Sequence, residues 1–399
     1  MTEYRYDFPM LRNDIIYFDN GATTFKPDSV IDAITDYYKN YSANAHRGDY
    51  TISYKVDVNY ENARKKVADF INAEFDETIF TSGATESLNM IINGFFMHLL
   101  EPGDEVLITK SEHASNVLPW FKLVNTIGIK VNYIDLDENL HVTMDNVINS
   151  ITDKTKVISI AGITNVVGDE RPIDEICKFA HANNIFVVID GAQLVPHKKV
   201  DVKKSDMDFL VFSGHKMCGP TGIGVLYGKK EFLEKLEPIN MGGGMNESFD
   251  NPSEVYLKEL PTRLEAGTPN IAGAIGLGAA IDYLNKIGMD NIFDYEKKLK
   301  AYLIDKLIKL PYIDIINLES DSGIVSFNID GIFSQDVAFY LNKYNICVRA
   351  GNHCAKILKD ETGVKNSLRV SLYFYNTYEE IDKLVNLLSD RNKIMKEMI

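Results

Sequence analysis

The sequence predicts an α/β protein: a mainly parallel, doubly wound sheet followed by a smaller α+β lobe. Three observations carry this. From Thr81 to Lys216, short apolar runs alternate with segments of helical period. Polar residues recur just past the ends of those runs, where open parallel sheets bind ligands. Beyond Ile271–Ile287 the composition shifts towards Lys, Asp and Ile, with short strands around one helix. The expected division is an N-terminal arm over residues 1–18 that packs with the small lobe. Residues 19–270 form the large domain, and 271–399 a linking helix and the small C-terminal domain.

At 399 residues the chain can bury a large core, and 45% hydrophobic with 25% charged residues is ordinary for globular proteins. A net charge of −15 argues against nucleic-acid binding, which needs a basic face. The polar start has no apolar core of signal type, and no apolar run reaches membrane length, so a soluble cytoplasmic protein is expected. Cys177, Cys218, Cys347 and Cys354 show neither a CxxC spacing nor a zinc pattern.

In chain order, Ile15–Phe18 reads as a short strand ending in the small residues Gly21 and Ala22. Helices are expected over Ser29–Tyr41 and Val58–Asn72, with His46 in a polar loop between them. Glu77–Phe80 leads into Thr81-Ser82-Gly83-Ala84-Thr85, a strand, glycine turn and helix start. Free N–H groups there can cradle a phosphate, and Thr85 can equally be an ordinary cap. Asp104–Thr109 ends at His113, which can stack on a planar ring or serve only as a loop donor. Val131–Ile134 and Val157–Ala161 are strands, the second followed by Asn165. After the helix Ile173–Asn183, the buried strand Ile185–Ile189 ends in Asp190 and Gln193. Asp208–Phe212 then leads to Ser213-Gly214-His215-Lys216 and a glycine-rich turn. In the small lobe, Ile324–Ile329, Ile346–Arg349 and Ser367–Ser371 read as strands. Ser334–Tyr344 and Tyr378–Met398 read as helices.

Lysine is rarely buried without a partner, and a desolvated lysine can form a Schiff base with an aldehyde. The rim also offers an acid for a ring nitrogen, a helix N-terminus for phosphate and a histidine for stacking. Together these match what pyridoxal phosphate requires.

The ordered motifs Asp19–Thr24, His46-Arg47-Gly48, Gly83–Glu86, Glu112-His113, Asp190–Gln193, Ser213–Lys216, Arg263–Pro269 and Arg349–Ala355 span nearly the whole chain. They resemble the class V aminotransferase family of fold-type I pyridoxal phosphate enzymes. Within it they are similar to the SufS-type (group II) cysteine desulfurases and selenocysteine lyases. The resemblance implies a seven-stranded, mainly parallel sheet in the large domain. It implies Lys216 as the cofactor-bearing lysine, Asp190 on the pyridine nitrogen, His113 stacked on the ring and Gln193 on the phenolic oxygen. Ala84, Thr85, Ser213 and His215 would surround the phosphate, with Thr268 reaching it from the partner of a homodimer. Asn165 and Arg369 would take the substrate carboxylate, with Arg349, His46 and Ala22 elsewhere in the substrate pocket.

The resemblance makes Cys354 the nucleophile that takes sulfur from L-cysteine, leaving alanine and a persulfide. His353 and Arg349 are candidates to lower its pKa. The family often has Ala at position 21, a second histidine at position 114 and another at position 352. The compact loop before Cys354 implies a dedicated SufE- or SufU-type acceptor and a role in iron–sulfur cluster assembly. The alternatives are a selenocysteine lyase and, in another class, a non-catalytic pyridoxal phosphate-binding regulator or scaffold.

Overall fold

Runs of β-branched and aromatic residues build the strands of the central sheet. The computed structural model describes residues 1–45, 48–250, 254–316, 318–320, 322–362 and 366–397. After the two-residue strand β1 (Ile16–Tyr17), the strands are β2 (Thr78–Thr81), β3 (Glu105–Thr109), β4 (Lys130–Ile134) and β5 (Thr155–Ala161). β6 (Phe186–Asp190), β7 (Phe209–Ser213) and β8 (Gly224–Gly228) follow. Among the described residues, β2 to β8 form a seven-stranded sheet in the order β2-β8-β7-β6-β5-β3-β4. Every pairing is parallel except those of β8, which runs antiparallel to both neighbours.

Both faces of this sheet are covered, so its central strands are apolar at consecutive positions. Val157, Val188 and Val211 pack on one side with Leu88, Ile91 and the fully buried Trp120. Their neighbours Ile158, Ile189 and Leu210 pack on the other with Ala274, Leu277 and Ile281 of the helix Ile271–Ile287. The expected small-residue helix is thus confirmed at the same bounds, and its glycines have a packing reason. A Cβ on Gly278 would stand 3.2 Å from Ala63 of the adjacent helix.

β9 (Asn246–Asp250) and β10 (Glu254–Leu257) form an exposed hairpin. β11 (Ile313–Ile315), β12 (Ile324–Ile329), β14 (Arg349–Gly351) and β15 (Ser367–Ser371) form an antiparallel sheet in the order β11-β12-β15-β14. The expected strand Ile346–Arg349 is divided: β13 (Ile346–Cys347) pairs instead with β1. Phe8 lies wholly buried against Tyr283 and Phe374, with its ring centroid 4.7 Å from that of Tyr375.

Two helical segments differ from their expected bounds by more than two residues or by a break. The helix expected over Val58–Asn72 starts at Thr51, because Ser53, Val56 and Tyr60 turn one buried face inward despite poor local helix formers. The C-terminal segment is two helices, Tyr378–Leu388 and Arg391–Glu397. Asp390 breaks it: its carboxylate accepts the Lys393 N–H and starts the second helix.

Candidate active site

The carboxyl ends of β5, β6 and β7 converge on a cleft of about 200 Å³, closed from the other side by Arg349 and Arg369. All the expected site residues line it except Cys354, Thr268 and His46. His46 lies outside the described residues. Thr268 is exposed and away from this chain's own cleft.

Lys216 follows β7 in a single helical turn, Gly214–Lys216. Burial pushes its ammonium down to about 8; Asp190 opposes the shift, while Arg369 and Arg349 reinforce it. Near neutral pH this amine loses its proton far more readily than an ordinary lysine, as a carbonyl nucleophile requires. His215 is pushed down to about 4 by burial and then by Lys216 and Lys26, so its imidazole is neutral.

His113 is shifted down by burial and then by Lys216. Its Nδ1 accepts the Ser115 backbone N–H at 3.2 Å, so the neutral ring carries its proton on Nε2. The turn that carries it is fixed by Glu112, a carboxylate with no exposed surface to spend on water. Glu112 accepts from Thr109 Oγ1 at 2.7 Å, Asn116 Nδ2 at 2.9 Å and the Ala161 N–H at 2.8 Å. It therefore ties the end of β3 to the end of β5.

The expected strand, glycine turn and helix start are present. The helix Ala84–Ile91 starts at the cleft, its first N–H groups lack partners within the helix, and the Ala84 N–H donates to Ser213 Oγ at 2.9 Å. Thr85 Oγ1 pairs with Ser115 Oγ at 2.8 Å. Gly83 has φ of +156°, a backbone conformation that residues with a side chain rarely adopt. The crossing of chains needs glycine as well: a Cβ on Gly224 would fall 2.4 Å from the Gly83 Cα.

On the substrate side, Arg369 is buried, and its two Nη groups donate to the Asn165 carbonyl and to Asp19, each at 2.8 Å. Its Nε has no partner. Asn165 Nδ2 donates to the His353 carbonyl at 2.7 Å. His353 itself donates from Nε2 to Ser367, and burial followed by Arg369 pushes its pKa down to about 3. This goes against the role expected of His353: its neutral imidazole carries no charge to offer the Cys354 sulfur.

Cys354 stands exposed just outside the cleft wall. It still acts electrostatically on Lys216, which places the two within reach of one another's charge. His353 and Cys354 have φ of +50° and +60°, the left-handed region that costs a side-chain-bearing residue about 1–2 kcal/mol each. The Cys354 carbonyl accepts the Ala114 N–H at 2.9 Å, so the cysteine turn hangs on the turn of His113. Cys218 is buried and its thiol is pushed up to about 12, in keeping with a packing role. Cys347 is half-exposed, in the two-stranded ladder that β13 forms with β1.

The residues fit pyridoxal phosphate. A desolvated lysine, a buried carboxylate at a strand end and a helix N-terminus share one cleft. Beside them the Gln193 Oε1 is buried without a partner while its Nε2 donates to the Gly21 carbonyl at 2.7 Å. Residues 16–384 match the class-V aminotransferase family. The chain belongs to that family of pyridoxal phosphate enzymes, and within it stands with the cysteine desulfurases. It is 43% identical over 383 residues to a probable cysteine desulfurase of Halalkalibacterium halodurans, covering 94% of each chain. It is 40% identical to a cysteine desulfurase of Haloferax volcanii, over 94% of this chain and 88% of that protein. The apo cysteine desulfurase of Thermococcus onnurineus superposes with a TM-score of 0.94 at 37% identity, covering 99% of this chain and 98% of that one. The Escherichia coli cysteine desulfurase CsdA, as its S-sulfonic acid, gives 0.93 at 34%, covering 100% and 98%. Among the described residues, no helix is long and apolar enough to cross a membrane.

Proposed function

We propose that this cysteine desulfurase moves sulfur from L-cysteine onto Cys354 as a persulfide, for delivery to an acceptor protein of SufE or SufU type in iron–sulfur cluster assembly. The single observation that carries the reading is the exposed Cys354, held by its own carbonyl at the rim of a cleft whose floor is Lys216.

In the step proposed, the Cys354 thiolate forms a bond to the substrate sulfur as the substrate carbon–sulfur bond breaks. The electron pair of the broken bond stays on carbon, a proton replaces sulfur there, and alanine leaves. Pyridoxal phosphate, when bound, supplies the conjugated system that delocalises the electron pair at the substrate carbons. Lys216 would hold the cofactor and move protons to and from the substrate carbon. Asp190 and Gln193 would hold the ring, His113 would cover it, and Ala84, Thr85, Ser213 and His215 would bind its phosphate. Arg369, with its unpartnered Nε, would orient the substrate carboxylate together with Asn165, and Arg349 and Ala22 would line its other side. Thr268 is exposed and does not line its own cleft, which suits a residue used by the partner of a homodimer. His46 would belong to the substrate pocket, and the cytoplasm would be the compartment of this sulfur transfer.

The test is alanine release from L-cysteine and, separately, from L-selenocysteine, with Cys354→Ala and Lys216→Ala alongside. Loss of alanine from cysteine in both variants, and a persulfide mass on Cys354 of the parent protein, are expected. Full cysteine turnover by Cys354→Ala would overturn the persulfide route.

A further inference from the structure

We propose that Lys26 is a positioning residue for Lys216, acting as a half-buried cationic clamp on the peptide bond that precedes it. The inference rests on the cofactor role of Lys216 given above. The carbonyl oxygen of His215 belongs to the peptide bond between His215 and Lys216. Four donors from one short stretch surround it: the Thr24 N–H at 3.0 Å, Thr23 Oγ1 at 3.0 Å, Thr24 Oγ1 at 3.2 Å and Lys26 Nζ at 3.3 Å. A carbonyl has two lone pairs, so neutral donors already satisfy it. The ammonium is therefore not needed to pay a hydrogen-bond debt.

Its partial burial has a cost that its other contacts do not offset. Lys26 Nζ also donates to Thr23 Oγ1 at 3.3 Å and to the Thr24 carbonyl, and among the described residues it meets no carboxylate. Burial pushes its pKa down to about 8, with Cys218 the group that opposes the shift. A cation kept in such a place without a counter-ion is poor design for stability. It is intelligible as a fixed charge beneath a turn whose geometry matters. The same clamp continues past Lys216, because the Cys218 N–H donates to Thr24 Oγ1 at 2.8 Å. The peptide group before Lys216 and the one between Met217 and Cys218 are thus held by Thr23, Thr24 and Lys26. The charge has a second effect: Lys26 is one of the groups that keep His215 neutral, after burial and Lys216 itself. The stretch Thr23–Lys26 follows directly on Asp19, Gly21 and Ala22 at the substrate side of the cleft, so one loop serves both ends of the site.

The experiment compares the full-length protein with Lys26→Met and Lys26→Arg. Each is titrated with pyridoxal phosphate, and the absorbance band of the bound cofactor is followed against pH. Lys26→Met is expected to weaken cofactor affinity by about ten-fold or more, the scale of one charged hydrogen bond. It should also move the pH midpoint of the band. Lys26→Arg, which keeps a cation and several donors, is expected to restore most of both. Thr23→Val, which removes one neutral donor from the same oxygen, keeps the test open if the Met variant does not fold; it is expected to give a smaller loss. Wild-type affinity and an unmoved midpoint in Lys26→Met, or in Thr23→Val where Met does not fold, would overturn the clamp. An Arg variant as impaired as Met would overturn the role of the charge. Failure of the unaltered protein to bind the cofactor would instead defeat the reading of Lys216.

Discussion

Glu265 offers the sharpest test of how the site is held. Its carboxylate, 9% exposed, takes Arg64 Nη1 and Nη2 at 2.7 and 2.8 Å, Tyr60 OH at 2.9 Å and the Phe80 N–H at 2.7 Å. Burial pulls the Arg64 guanidinium down, and Glu265 more than offsets it, so the net direction is upward. Glu265→Ala leaves Arg64, 2% exposed, as an unpaired buried charge. Removing one partner of such a pair costs about 3–5 kcal/mol. At roughly 1.2 °C per kcal/mol for a chain of 399 residues, the melting temperature should fall by about 4–6 °C. Differential scanning calorimetry of the purified variant measures this. Adding Arg64→Met to Glu265→Ala should recover part of the loss, because no charge is then stranded. A Glu265→Ala protein melting within about 1 °C of the parent would refute the ion-pair reasoning. The perturbation reaches the cofactor as well. Phe80 is in the edge strand β2, which leads to the anion cradle, and Glu265 lies three residues before Thr268.

Gly21 and His353 yield further predictions. A Cβ on Gly21 would stand 3.2 Å from Arg369 Cζ, and Arg369 is anchored at both Nη groups and has little freedom to retreat. Gly21→Ala should therefore raise KM for cysteine several-fold more than it changes kcat, read from initial rates of alanine formation. A variant in which kcat falls and KM holds would contradict that placing. His353 has a folded pKa of about 3, below the ordinary histidine value, so the unfolded chain binds its proton first. Its contribution therefore favours the folded state above about pH 6.5 and is lost progressively as pH falls towards about 3. His353→Gln should show a shallower decline in urea midpoint between pH 6.5 and 4; an unchanged decline would show that this imidazole is not kept neutral.

Much of the site was legible because its residues sit at strand ends. Ile185–Ile189 and Phe209–Phe212 are apolar at consecutive positions, as strands buried on both faces must be, and the first polar residues after them line the cleft. β8 was not legible: its Gly224-Val225-Leu226-Tyr227-Gly228 looks like the tail of a glycine-rich turn, and only its pairing with β7 and β2 makes it a strand. The hairpin β9–β10 is exposed and polar along much of its length, so no hydrophobic alternation announces it. The neutral state of His353 was hidden for another reason. Sequence places it beside Cys354, but its ring is governed by Ser367 and Arg369, which arrive from a strand beyond the next helix. Glu112 was visible only as the neighbour of His113; its three donors come from β3, the turn after it and β5.

The anchoring of Cys354 has a kinetic meaning. Its own carbonyl is fastened to Ala114, and the carbonyl before it to Asn165, so the main chain on both sides of its peptide is tethered to the large sheet. The freedom left to the thiol is rotation about its own side chain, a motion of picoseconds to nanoseconds that sweeps a short arc. Under the proposed transfer, sulfur on Cys354 would not travel on a swinging arm. Handover would then depend on collision and fit with the molecule that docks at the rim.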